Sequence, residues 1–379
     1  MQRRSVRLGT GIAALALAAG VAEVGPADAV VSTTVVTCGQ TIMVNTTLAG
    51  DVGPCPSTNG AGWGINIGAD NITLNLNGKR VFGGNVPGEG PAVRMFGRIG
   101  AKVMNGALDH MDCGVLIEGG NGNTVTGVTA EDNIGRNPGS PCGDGIAIES
   151  STGNLIEKSI VRRNGPYSGI GVYSLVDSDH PRTTSGTSSG NKIDLNTVYD
   201  NVASRNPAAP ADTDNDGIRV EPFSVSNNLT QNYVFHNGLD GISLFNGSAN
   251  NQLMYNTVQN NGVRTSSARR GSGIIVFNRA NGNLIIYNYV TGNSDNGIVV
   301  QGPVGANPGA LGNRILYNQS FGNATQPLLT PAPGGPFGGT TYDLQDRNGN
   351  CNLNQWYGNV YGTAFPECTK AGGTQHVDT

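Results

Sequence analysis

Two aspartates that precede glycine, Asp216 and Asp240, combine a residue type and a spacing that suggest chemistry. They lie 24 residues apart, and a Gly-Ile pair follows each of them. If the chain repeats at this step, the carboxylates stack about one strand spacing apart, roughly 4.8 Å. Two carboxylates this close repel each other, which raises one pKa or recruits a cation. With Arg219 nearby, the pattern predicts a charged site that moves protons.

Arg270 and His180 are the other catalytic candidates, because each lies in an inserted segment beside a Gly-Ile pair. Arg270 precedes the pair at Gly273, and His180 lies in the run DSDHPR at 177–182. An arginine acts as a base only where burial or neighbouring cations lower its high pKa. His180 fits a solvated loop residue equally well.

A run of alternating acidic residues, Asp212, Asp214 and Asp216, leads into Gly217. Acidic oxygens at this spacing resemble the start of a calcium loop, and Asp240 would add a ligand from the next repeat. The glutamate expected at the twelfth position of such a loop is missing. Calcium is therefore a possible cofactor, and the alternative is that Asp-Gly only builds a bend.

An internal repeat determines which elements carry these residues. Glycines before an apolar residue recur at 114, 145, 169, 217, 241, 273 and 297, with a shortest step of 24 residues. Triplets of asparagine five residues apart follow, as in Asn251, Asn256 and Asn261. Apolar residues two positions after the first two asparagines, such as Leu253 and Val258, predict three short strands per unit. Asparagine suits the bends because it tolerates left-handed backbone and its amide can bond from rung to rung.

Strand alternation assigns the Gly-Ile strands an inner and an outer face. Ile218, Val220 and Ile242 would point inward. The outer row would then contain the candidate substrate-binding residues Glu149, Tyr173, Glu221, Phe245 and Phe277. Aromatic rings beside carboxylates suit a polysaccharide, and long loops on both borders predict a groove.

These units resemble the right-handed parallel β-helix repeats of the pectate-lyase-like superfamily over about residues 60–325. The sequence therefore predicts an all-β fold, a right-handed parallel β-helix of roughly 24-residue, three-strand rungs with capped ends. We assign residues 1–29 to a signal peptide, 30–60 to an N-terminal cap, 61–326 to the β-helix and 327–379 to a C-terminal cap and tail. The aromatic residues expected to cover the core at that end are Trp356, Tyr357, Tyr361 and Phe365.

Enzymes of this superfamily imply three activities. Pectate lyases hold Ca²⁺ with acidic residues and use an arginine as base, which Asp216, Asp240, Arg219 and Arg270 match by residue type. The runs DNDGI and LDGI are similar to two polygalacturonase elements, but RRGSGI lacks the histidine of the third, and DSDHPR is distantly similar to an epimerase segment. The resemblance favours Ca-assisted β-elimination or epimerisation of an acidic polysaccharide. The alternatives are a non-catalytic glycan-binding or cell-surface module and a polygalacturonase-like hydrolase.

Composition restricts location and partners. Residues 1–29 combine three arginines, an apolar run and Ala27-Asp28-Ala29, a pattern typical of an export signal, so we expect a secreted protein without membrane insertion. A net charge of −4 excludes a basic nucleic-acid footprint, and we expect a monomer. Six cysteines in an oxidising compartment predict disulfides, for which we favour Cys38–Cys55, Cys113–Cys142 and Cys351–Cys368.

Overall fold

A computed structural model describes residues 33–58, 62–84, 86, 88–135, 142–174, 186–202, 215–263, 271–305, 308–325 and 340–377. The predicted signal peptide and the candidates His180, Asp212, Asp214 and Arg270 lie outside these residues. The described residues form strands that pair in parallel with the strands of the next rung, together with two short 3-10 helices, Gly349–Cys351 and Glu367–Lys370. The predicted parallel β-helix is therefore confirmed.

The first strands of the rungs form a sheet of twelve strands within the described ranges. In order, this first sheet contains Gln40–Ile42, Ile65–Ile67, Pro91–Phe96, Cys113–Glu118, Ile146–Glu149, Ile170–Tyr173, Ile218–Val220, Ile242–Leu244, Ile274–Val276, Ile298–Val300, Leu344–Asp346 and Ala364–Phe365. Its central members are the Gly-Ile strands of the repeat.

The second and third strands of each rung continue the solenoid. The second strands are Thr46–Thr47, Thr73–Asn75, Leu155–Glu157, Lys192–Asp194, Asn228–Thr230, Gln252–Met254, Leu284–Ile286, Arg314–Leu316 and Gln355–Tyr357. The third strands are Val52–Cys55, Arg80–Gly83, Ile160–Arg162, Thr197–Tyr199, Tyr233–Phe235, Thr257–Gln259, Tyr289–Thr291, Gln319–Phe321, Val360–Tyr361 and Thr374–Gln375. Two longer strands, Lys102–Asp109 and Thr124–Glu131, span both positions.

The predicted inner face is confirmed by burial. Ile218, Val220 and Ile242 from the first strands are fully buried, as are Leu253 and Val258 from the second and third strands. They belong to one apolar cluster that runs along the solenoid axis. A single rung cannot bury its own apolar residues, so each rung depends on the stacking of its neighbours.

Three asparagine ladders fasten the rungs to one another. In each ladder the side-chain Nδ2 donates to the Oδ1 of the next asparagine over 2.8–3.2 Å. The columns are 123–154–191–227–251–283–313–354, then 196–232–256–288–318–359, then 133–164–201–237–261–293–323. The predicted rung-to-rung amide bonding is therefore confirmed.

The left-handed bend residue is not the ladder asparagine but the residue before it. Leu195 has φ of 57°, Gln231 of 55° and Tyr255 of 57°, whereas Asn196 and Asn232 are absent from the positive-φ positions. The asparagine therefore serves the bend through its amide, and its predecessor carries the conformational cost of about 1–2 kcal/mol. The expectation that asparagine supplies the left-handed residue was wrong for these columns.

The ends of the solenoid continue its strand pattern. Three strands between Gln40 and Cys55 pair with the following rung, so rung stacking begins inside the segment predicted as an N-terminal cap. At the other end, Trp356 and Tyr361 pack in the core cluster as predicted. Tyr357 and Phe365 are each 53% exposed, so their assignment to the core was wrong, because both point outward from their strands.

The three favoured disulfides are present: Cys38–Cys55, Cys113–Cys142 and Cys351–Cys368. Disulfides persist in oxidising compartments, which agrees with the expected export. Among the described residues, no helix has the length and apolar character to cross a membrane.

Candidate functional site

Four neighbouring strands of the first sheet bring the candidate side chains onto one outer face. In register, Ala147 pairs with Gly171, Gly171 with Arg219 and Arg219 with Ser243. One position along each strand the side chain points to the inner face, and two positions along it points outward again. Glu149 and Tyr173 therefore share the outer face with Arg219, as the alternation predicted.

The aspartates before glycine form a ladder of their own. The Oδ1 of Asp216 accepts a hydrogen bond from the backbone N–H of Asp240 at 2.9 Å. Asp240 accepts from the N–H of Ser272 at 2.7 Å, and Asp144 accepts from the N–H of Ser168 at 2.9 Å. Each carboxylate thus satisfies a buried backbone donor of the next rung. The bend-forming role that the sequence left open is part of what these residues do.

Asn296 shows that this backbone role needs no charge. It stands at the equivalent position, and its Oδ1 accepts from the N–H of Tyr342 at 2.9 Å. Asn296 is fully buried, as is Asp216. A buried carboxylate pays a desolvation penalty of several kcal/mol that a buried amide avoids. The negative charge at Asp144, Asp216 and Asp240 therefore exceeds what the ladder requires.

Arg219 lies between two carboxylates on the outer face. Its Nη1 is 3.1 Å from the Oδ2 of Asp216, and its Nε donates to Glu221. Ser243 donates to the same Asp216 oxygen at 2.6 Å, and the guanidinium lies 4.7 Å from the ring centre of Phe245. These contacts fix the orientation of a guanidinium that is only 6% exposed. Such a group can recognise a carboxylate by bidentate hydrogen bonding.

Tyr173 is held beside Asp144. Its hydroxyl donates to the Oδ1 of Asp144 at 2.8 Å. Burial raises the pKa of Tyr173 well above its ordinary value, and the negative charge of Asp144 raises it further. The phenol therefore stays protonated at neutral pH. The ring folds back over Gly171, where the Cβ of any other residue would collide with it.

The predicted substrate-binding rings are buried. Phe245 and Phe277 meet edge to face with ring centres 5.4 Å apart. They pack with Ile275 and Val299 in a small apolar cluster separate from the main core. Glu149 and Glu221 are also less than a tenth exposed. The structure brings all five predicted substrate-binding residues onto one face, where each of them is less than a tenth exposed.

The described residues do not by themselves fit a calcium ion. Among them, no group of three or more histidine, cysteine, aspartate or glutamate residues is placed to hold a metal. Calcium takes about six to eight oxygen ligands, and both carboxylate oxygens of Asp216 already accept hydrogen bonds. A calcium site would need the loop aspartates Asp212 and Asp214, which lie outside the described residues.

Sequence reasoning missed two charged residues further along the same face. Arg347 donates from Nε to the Oε1 of Gln345 at 2.9 Å and lies beside Gln301. Burial lowers the pKa of Arg347 and raises the pKa of Asp295, and each group's charge opposes the shift of the other. A long interruption of the repeat precedes Arg347, so the period alone did not align it with the outer row.

Comparison with known proteins agrees with this architecture. The family model described as "Right handed beta helix region" matches residues 66–315. No curated protein is significantly similar to the chain in sequence.

Solved structures share the fold at low sequence identity. DFA-IIIase from Arthrobacter chlorophenolicus A6, without its lid, is 10% identical with a TM-score of 0.53, covering 87% of this chain and 74% of that one. A double mutant of the periplasmic alginate epimerase AlgG is 14% identical with a TM-score of 0.52, covering 89% and 70%. The Dettilon tailspike protein is 18% identical with a TM-score of 0.52, and this chain covers 61% of it, less than two thirds. The family match and these structures agree with the parallel strand order, and the chain belongs to the right-handed β-helix family.

Proposed function

We propose that this protein is a carbohydrate-active enzyme that processes an acidic polysaccharide by β-elimination or epimerisation on the outer face of the first sheet. The observation that carries the proposal is the comparison of Asp216 and Asp240 with Asn296, which makes the same backbone hydrogen bond without charge. Two of the surplus carboxylates hold the reactive groups: Asp216 pairs with the guanidinium of Arg219, and Asp144 accepts a hydrogen bond from the protonated phenol of Tyr173. Shared fold with the solved structures adds only the architecture.

The proposed reaction begins at the carbon next to a uronate carboxylate. Arg219 exchanges one of its present partners, Asp216 or Glu221, for the uronate carboxylate. This pairing neutralises the carboxylate and makes the hydrogen on the adjacent carbon more acidic. Asp240 removes this hydrogen as a proton. In elimination the electron pair forms a double bond and expels the neighbouring glycosidic oxygen, and Tyr173 protonates that oxygen. In epimerisation Tyr173 instead returns a proton to the carbon from the opposite side. Exchange with water then restores Asp240 and Tyr173.

The setting of this reaction is outside the cytoplasm. The three disulfides favour an oxidising compartment. We include in the proposal the export signal at residues 1–29 and a monomeric enzyme. The inserted segments that carry His180 and Arg270 are proposed to complete the site from its borders.

Tyr173→Phe tests the proton donor. We expect this variant to fold normally and to lose at least a hundredfold in activity, because only the hydroxyl that donates the proton is removed. Elimination is measured by ultraviolet absorbance of unsaturated products from pectate, alginate and glycosaminoglycans. Epimerisation is measured by deuterium incorporation from D₂O into the recovered polymers, read by NMR.

Tyr199→Phe is the matched control. Tyr199 lies on a third strand, away from the first sheet, and its hydroxyl accepts a hydrogen bond from Arg162. The replacement therefore also removes one tyrosine hydroxyl and its hydrogen bond. It should retain full activity. Equal activity in wild type and Tyr173→Phe would contradict the assigned role. If the wild type releases reducing ends without unsaturated products, the polygalacturonase-like alternative replaces the proposal. If no polymer reacts, the alternative of a non-catalytic glycan-binding module replaces it.

The double replacement Asp216→Asn with Asp240→Asn tests whether the pair binds calcium with Asp212 and Asp214. Asparagine can accept the same backbone hydrogen bonds, as Asn296 does, so the variant should fold. At about a hundred times its dissociation constant, calcium should stabilise the wild type by about 2.7 kcal/mol and the variant not at all. Calcium titration followed by thermal melting measures this difference. A wild-type melting temperature that does not respond to calcium would show that the pair binds no calcium, and it would leave the proposed proton-transfer roles unchanged.

A further inference from the structure

A row of exposed tyrosines marks the corner between the second and third strands. Tyr255, Tyr287 and Tyr317 each precede an asparagine of the second ladder and take the left-handed bend, with φ between 53° and 57°. Their rings stack from rung to rung, with centres 5.2 Å apart for the first pair and 5.7 Å apart for the second. Tyr357 closes the row with its ring at a right angle to that of Tyr317. All four rings are between 44% and 57% exposed.

A cleft of about 350 Å³ opens at the first tyrosine of this row. Its lining residues are Lys192, Asp194, Asn228, Thr230, Gln231, Met254 and Tyr255. They come from the rung of Tyr255 and the two rungs before it, and none comes from the rung of Tyr287. The cleft therefore lies against the ring face of Tyr255 that Tyr287 does not cover.

The polar lining of the cleft is balanced in charge. The Nζ of Lys192 is 2.9 Å from the Oδ2 of Asp194, and Thr230 donates to the other carboxylate oxygen. Asn228 and Gln231 add two amides, each with both donors and acceptors. One cation and one anion cancel, so the cleft neither attracts nor repels a charged ligand strongly.

We propose that this cleft binds a sugar unit of a neutral glycan, with the pyranose or furanose ring stacked on Tyr255. The C–H groups of a sugar carry slight positive charge and are attracted to the negative face of an aromatic ring. Its hydroxyl groups both donate and accept, which suits a lining of amides, a hydroxyl, a carboxylate and an ammonium group. Balanced charge favours a neutral sugar over a uronate.

The size and rigidity of the cleft suit this ligand. Its volume lies near the lower end of the range of about 300–1,000 Å³ for small-molecule sites. The stack behind Tyr255 holds its ring in one orientation, so little side-chain freedom remains to be lost on binding. The cleft faces outward from the second strands and not from the first sheet, so this binding site is separate from the proposed reaction and does not depend on it.

Titration calorimetry of the full protein with cellohexaose, mannohexaose and fructo-oligosaccharides tests the proposal, with AMP as a planar non-sugar probe. We expect at least one oligosaccharide to bind, and Tyr255→Ala to weaken its binding at least tenfold. Lys192→Met, which keeps the alkyl chain but removes the donor, should weaken it at least threefold. Should Tyr255→Ala not fold, Lys192→Met and competition between the oligosaccharides still test the cleft.

Tyr317→Ala is the matched control, because it removes a ring of the same row that is 44% exposed, against 57% for Tyr255, and that does not line the cleft. The Tyr317→Ala protein should bind the oligosaccharide with an affinity within twofold of that of the wild type. The Tyr173→Phe protein should bind it with unchanged affinity. Binding that Tyr317→Ala weakens as much as Tyr255→Ala would overturn the cleft as the site. Absence of binding to every oligosaccharide, or displacement of the bound sugar by AMP, would also overturn the proposal.

Discussion

Replacement of Ile242 by aspartate is expected to abolish the folded state. Ile242 is fully buried and pairs in register with Ile218 and Ile274 inside the solenoid. An unpaired buried charge costs more than about 4–5 kcal/mol, against a total stability of about 5–15 kcal/mol for a typical domain. Ile242 is part of a continuous apolar column, so the aspartate also disrupts the packing of the adjacent rungs. Circular dichroism and thermal melting would show the loss of cooperative unfolding.

Two controls separate charge from position. Gln252→Asp places the same charge on the exposed face of the same rung and should change stability by less than about 0.5 kcal/mol. Ile242→Val removes one methylene and should cost about 0.5–1.5 kcal/mol. A normally folded Ile242→Asp protein would contradict the inward assignment of the Gly-Ile strands.

Asn256→Ala is expected to cost about 3–5 kcal/mol, because it orphans several buried polar groups worth about 1–3 kcal/mol each. The Nδ2 of Asn256 donates to the carbonyl of Leu229 and to Asn288, each at 2.9 Å. Its Oδ1 accepts from both the backbone and the side chain of Asn232 at 3.0 Å. Alanine leaves these partners buried without replacements. Chemical denaturation would measure the change in unfolding free energy.

Asn228→Ala provides the comparison within the same sheet region. Asn228 lies half-buried on a second strand, and its side-chain amide makes no hydrogen bond to another described residue. Its replacement should change the unfolding free energy by less than about 0.5 kcal/mol. Equal losses in the two variants would show that asparagine content, rather than the ladder, sets the stability.

The sequence predicted those features of the fold that repeat at a fixed step. Ile218 and Ile242 could be placed on the inner face because strand alternation has a period of two and the rungs repeat at 24 residues. The asparagine columns and the disulfide Cys113–Cys142 followed from the same alignment. Both depend on parallel, in-register stacking, in which equivalent positions of neighbouring rungs must meet.

The roles of the charged residues depended on contacts between distant parts of the chain. Alternation predicted that Arg219 faces outward, but only the folded structure shows it between Asp216 and Glu221. Likewise, the sequence left open whether Asp240 forms a bend or a site, and its hydrogen bond from the N–H of Ser272 shows that the bend is part of its role. Side-chain rotamers and neighbouring strands decide such contacts, and the repeat specifies neither.

The cleft beside Tyr255 shows most plainly what the sequence determined and what the tertiary structure decided. The recurring Tyr-Asn pairs at 255, 287 and 317 were a visible signal of a ladder on one corner, since equal positions in equal rungs stack. The cleft itself arises because the preceding rung has Gln231 at that corner, which leaves one ring face of Tyr255 uncovered. Periodicity therefore determined the scaffold, whereas the departures from it, which act through packing between rungs, decided where a ligand can bind.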